Sequence, residues 1–155
     1  MQSSALCSKW GYLLDEMEKQ EQWENTFKAC FRSVTDNTVI WLQYKILYNC
    51  LSTRDYLYKI NLKDNNLCIF SYWSPEAIVH LFCECEKVQQ LWYNVEKKWI
   101  LMKVGVHLNF PNGLKFLGYR KMDSNFWPIN FLILMTKRYI YKCAYKELIC
   151  TSYIV

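Results

Sequence analysis

Between Leu67 and Cys85 the chain gathers Cys68, His80, Cys83 and Cys85, four side chains that zinc favours as ligands. The pattern reads C-x2-S-x8-H-x4-C, with Cys83 inside the last gap. Ser71 stands where the second thiol of a four-ligand knuckle would fall. A serine hydroxyl holds its proton tightly and makes a poor ligand, whereas a thiol yields its proton to the metal. On a straight α-helix His80 and Cys83 are about 60° apart, and His80 and Cys85 about 140° apart. For His80 and Cys85 to share one ion, the helix must end or distort before Cys85. With that distortion, Cys68, His80, Cys85 and Cys83 supply four ligands without Ser71. The alternative is a metal-free, vestigial knuckle whose Cys and His pack as ordinary interior residues.

A second chemistry-bearing pattern lies near the end of the chain. Arg138, Lys142 and Lys146 fall at i, i+4 and i+8, with Lys137, Tyr141 and Tyr145 in the same spacing beside them. Basic groups hold phosphates and aromatic rings stack bases. The plainer reading is a solvated helix face with the tyrosines turned inward. Arg54, Lys59 and Lys63 form a weaker basic cluster close to the knuckle. The formal charge of +5 is uneven: residues 111–155 carry seven basic and two acidic groups. That end of the chain is therefore expected to face a polyanion.

Catalytic signatures are missing from the sequence. There is no Asp-Asp pair for polymerase metals, no Gly-rich phosphate loop, no G-x-S-x-G and no H-E-x-x-H. Cys83-Glu84-Cys85 lacks the spacing of a thiol oxidoreductase. His107 stands alone among apolar residues and reads as structural. The chain is expected to be non-catalytic by itself, with no small-molecule substrate.

Helices are needed to position these residues. Leu13 to Val34 carries Trp23, Phe27 and Phe31 on one helical face. Asp36 and its neighbours signal a break and an N-cap, followed by an apolar helix over 39–51 that reads as central. Ser52-Thr53-Arg54-Asp55 resembles a capping box and predicts a short helix to about Lys59. Ser74-Pro75-Glu76 has the chemistry of a helix start running toward Phe82, with a pause near Cys85 and a second run to about Lys103. Leu114 to Tyr119 reads as a short strand or loop, and Pro128 opens a last helix to about Leu148. The fold class predicted is all-α: a single helical domain with a short irregular knuckle.

The composition supports a packed core: 52% of residues are apolar and 17% aromatic, too hydrophobic for disorder. Phe131 to Met135, the longest strongly apolar run, falls far short of the ~20 residues that cross a bilayer. The start of the chain lacks the pattern of a signal peptide. The expectation is an intracellular protein, nuclear or cytoplasmic, with no membrane partner. Its eight cysteines then read as reduced thiols, with Cys30, Cys50, Cys143 and Cys150 in the core.

The knuckle, with Val88, Leu91 and Trp92 following Cys85, resembles the C-terminal zinc-binding domain of LINE-type non-LTR retrotransposon reverse transcriptases. The flanks Trp41–Leu47, Tyr56–Ile60 and Lys137–Cys143 are similar to the helices around that knuckle. The resemblance covers roughly residues 22–147. It implies a lead-in over 1–21 and a zinc-binding-like helical domain over 22–150. It also implies a Zn²⁺ ion on Cys68, His80 and Cys85, with Cys83 as a further candidate. The function implied is that of an accessory domain of a retrotransposon polyprotein that grips RNA or DNA for an enzyme supplied elsewhere. The partners would be that nucleic acid and the reverse transcriptase or endonuclease part of the parent element. The candidate nucleic-acid contacts are Arg138, Lys142, Lys146, Lys137, Tyr141, Arg54 and Lys59. The alternative is a degenerate helical remnant or a protein-interaction module.

Overall fold

A computed structural model describes residues 10, 28, 31–102, 110–118 and 127–146. The expectations for most of 13–30, for Lys103, His107, Cys7, Cys30 and Cys150, and for 147–150 lie outside the described residues. The fold is all-α. Among the described residues the named helices are α1 (Asn37–Leu47), α2 (Arg54–Lys59), a π-helical turn (His80–Glu84), α3 (Glu86–Met102), α4 (Asn112–Leu117) and α5 (Trp127–Tyr145), and Phe31 to Ser33 are helical as well. Among the described residues the one β-type pairing is an isolated bridge between Leu67 and Pro75. None of these helices is long and apolar enough to cross a membrane.

By its internal contacts the chain divides into two compact units, Met1–Leu51 with Asn112–Arg138, and Ser52–Pro111 with Tyr139–Val155. In the first unit α1 starts where Asp36 accepts the Thr38 N–H at 2.8 Å, an N-cap that satisfies an otherwise orphaned donor. It ends at Tyr48, with Asn49 in the left-handed region that asparagine tolerates. The helix, though apolar, is not buried on all sides as a central helix would be: Trp41 and Tyr44 are exposed while Val39, Leu42, Ile46 and Leu47 are buried. Within the 114–119 stretch expected as a short strand or loop, Leu114 to Leu117 belong instead to helix α4, which buries Phe116 and Leu117. Burying these two side chains on one face outweighs the weak helix propensity of Gly113. Gly118 then turns with φ +81°, and a Cβ there would meet Asn130 Oδ1 at 2.9 Å.

The second unit holds the knuckle. Thr53, not Ser52, caps α2, its hydroxyl accepting the Tyr56 N–H. The Ser74-Pro75-Glu76 helix start is not used. Pro75 pairs with Leu67 instead, the Glu76 N–H bonds Asn66 O at 2.7 Å, and helical structure begins only at Ile78. Tertiary hydrogen bonds have claimed the groups that local capping chemistry would have used. Along α3, Val88, Leu91, Trp92, Val95 and Trp99 recur at helical spacing and are buried. Each such apolar side chain contributes about 1.5–3 kcal/mol by leaving water, which anchors the helix that follows Cys85. Cys143 is buried as expected, whereas Cys50 is exposed beyond the end of α1, where the chain turns at Asn49.

Candidate metal centre

The knuckle is built from a loop and a distorted helical turn. In the loop, Cys68 N–H bonds Ser74 O and Tyr72 N–H bonds Cys68 O, both at 2.8 Å. Tyr72 takes φ +59°, an uncommon conformation for a bulky residue that folds the loop back on Cys68. The buried Glu76 ties this loop to α2: one carboxylate oxygen accepts Arg54 N–H and the other Ile69 N–H. Burial raises the Glu76 pKa above the usual range, and the Cys68 charge adds to that, against the two backbone donors.

The helical distortion required by the sequence occurs at His80. The Cys85 N–H bonds His80 O at 2.8 Å, an i→i+5 closure. This wider turn carries five residues about once around, so Cys85 returns to the side of His80 and Cys83 rotates away. Cys68, His80 and Cys85 are all buried, and their donor atoms lie within 4.8 Å of one another. Cys83 is buried but stands outside this group. Of the four candidate ligands, the structure brings together three.

The arrangement suits a tetrahedral ion. The two sulfurs are 3.9 Å apart. Two ligands at ~2.3 Å from one zinc are separated by ~3.8 Å at the tetrahedral angle. Cys68 receives the N–H groups of Phe70 and Ser71, and Cys85 those of Val88 and Lys87 in the first turn of α3. Donors aimed at sulfur from a helix N-terminus stabilise thiolate. The two sulfurs are hydrogen-bonded to each other, and that contact draws the Cys68 pKa down to about 5, against burial. The same bond, with burial, drives Cys85 upward. Ser71 Oγ lies 3.3 Å from His80 Nε2 and also bonds the Cys68 sulfur. The serine thus stands beside two of the three donors, where a fourth ligand could be added.

The expected nucleic-acid contacts fare unevenly. Lys137 is 1% exposed, its ammonium donating to Gln43 Oε1 at 2.7 Å and to Phe116 O. It is a structural group of the first unit and cannot reach a phosphate, so its place among the nucleic-acid contacts is corrected. Arg138 is half-exposed and pairs with Asp36. Lys142 and Lys146 are exposed, and the Lys146 N–H continues the helix by bonding Lys142 O. Tyr141 is half-buried, while Tyr145, its neighbour on α5, is 76% exposed. Lys59 is exposed and paired with Asp55 at 2.6 Å, and Arg54 is half-buried at the start of α2. The clamp role of Glu76 was not legible in the sequence, where the residue belongs to an apparent helix start. Sequence reasoning also missed Tyr72 and Trp73, each 71% exposed on the knuckle loop; their adjacency to the Ser71 corner was the available signal. Comparison with protein-family models, curated proteins and solved structures finds no match.

Proposed function

We propose that the second unit is a zinc-dependent nucleic-acid-binding module, non-catalytic by itself, similar in design to the C-terminal domain of LINE-type reverse transcriptases. The observation that carries this reading is the convergence of Cys68, His80 and Cys85 through a π-helical turn. A buried pair of sulfurs with N–H donors aimed at it has a use when a cation neutralises both. Zinc there would tie the loop to α3 and fix the solvent-facing side of the knuckle. Lys142, Lys146, Tyr145, Tyr72 and Trp73 are among the exposed groups of this unit suited to phosphates and bases. Zinc bound by thiolate is a structural ion in this reading, and the module positions nucleic acid for an enzyme supplied elsewhere.

The test is metal content of purified protein, followed by binding of single-stranded RNA and DNA at several salt concentrations. One zinc per chain and affinity that falls steeply with salt are expected. Protein with no zinc and no salt-dependent binding would leave a metal-free helical remnant, held by the Ser71, His80 and Cys68 hydrogen bonds.

A further inference from the structure

We propose that the metal centre is open at its Ser71 corner and takes a small exogenous thiolate there as fourth ligand. This rests on the metal-binding reading above. Cys68 and Cys85 are fully buried and His80 nearly so, whereas Ser71 is only partly buried. Three corners are sealed in protein, and the fourth is the least enclosed. The 3.3 Å between Ser71 Oγ and His80 Nε2 matches the ~3.3 Å between two tetrahedral ligands at ~2.0–2.1 Å from zinc. Bonded also to the Cys68 sulfur, the hydroxyl stands beside two of the three donors, on the side where a fourth would bind, but as a protonated donor it binds weakly.

Neither of two neighbouring donors takes its place. Cys83 lies outside the cluster, and both Glu76 oxygens are engaged by backbone N–H groups. Zinc with two thiolates and a neutral imidazole carries no net charge, so one further anion is accommodated. Two sulfurs already on the ion favour a soft third. The exchange balances simply: the incoming thiol releases its proton to solvent, its sulfur bonds the metal, and the serine hydroxyl is displaced. No electron is transferred.

The experiment uses the full chain loaded with cobalt(II) and titrated anaerobically with 2-mercaptoethanol. Thiolate-to-cobalt absorption should rise by about half, as two sulfurs become three, with cobalt retained through gel filtration. Ser71→Cys should show the stronger absorption from the start and not respond. Ser71→Ala, freed of the competing hydroxyl, should respond at lower thiol concentration, and it carries the comparison if Ser71→Cys misfolds. A wild-type spectrum unmoved by thiol with cobalt still bound overturns the open corner alone, as does thiol stripping the cobalt away. Failure of the wild type to retain cobalt overturns the metal reading and the open corner with it.

Discussion

The indole N–H of Trp92 donates to the carbonyl of Phe82 at 2.7 Å, joining α3 to the π-helical turn between His80 and Cys85. Both residues are buried. The bond holds the turn in the wide form that brings Cys85 back to His80. Trp92→Phe keeps an aromatic ring and removes the donor. An unsatisfied buried carbonyl costs about 1–3 kcal/mol, which urea unfolding should read as a lowered midpoint. Zinc affinity should fall as well. Unchanged stability and affinity would show that the turn holds its shape without the indole.

Ser71→Cys should tighten zinc binding by roughly tenfold or more, at least the effect that supporting groups exert on metal sites. The serine is already 3.3 Å from His80 Nε2, so a thiol would need little movement to reach the ion. Competition against a chromophoric chelator measures the change. Equal affinity for both proteins would mean that position 71 does not face the metal.

Lys137→Met should destabilise the first unit by about 1–3 kcal/mol, because Gln43 Oε1 and Phe116 O lose their buried donor. Nucleic-acid affinity should not change. A weaker complex from a folded Lys137→Met protein would contradict the burial of this ammonium.

Replacing Lys142 and Lys146 with Ala should weaken RNA and DNA alike and leave folding intact, since both side chains are exposed. The salt dependence should flatten by about 0.7–0.9 per lost phosphate contact. Base preference should hold, because phosphate contacts carry no sequence information. Parallel salt plots for wild type and double mutant would reduce the stripe to a solvated face. Adding Arg138→Ala should flatten the plot less than either lysine, because its guanidinium is paired with Asp36.

The Asp36 carboxyl is held below the usual range of 3.8, first by the Thr38 hydroxyl, then by the Thr38 N–H and the Arg138 guanidinium, against slight desolvation. A folded pKa below the unfolded one contributes stability that is present above about 3.8 and lost as pH falls through the folded value. Asp36→Asn retains a good N-cap without the charge. The advantage of the wild type in thermal midpoint should therefore be greatest near neutral pH and vanish in acid. A gap independent of pH would assign the effect to packing.

The helices, the ligand types and the need for a distortion before Cys85 were legible in the sequence, because periodicity and spacing are local properties. The apolar pattern over 39–51 gave α1, shortened by the left-handed turn at Asn49, and Pro128 marked the start of α5. The helix over 112–117 was not legible, since its stability comes from burying Phe116 and Leu117 against residues distant in the chain. Nor was the late helix start at Ile78, because Pro75 and Glu76 are held by Leu67, Asn66, Ile69 and Arg54.

By itself, then, the sequence determined which side chains can bind metal or phosphate, and that His80 and Cys85 meet only across an irregular turn. The tertiary structure decided which of them are placed to do so. It chose Cys85 over Cys83 by the i→i+5 closure, set Ser71 beside Cys68 and His80, and buried Lys137 against Gln43 and Phe116. Those outcomes depend on backbone hydrogen bonds and packing between residues far apart in sequence. The free energy of such contacts is set by the neighbours that the fold supplies.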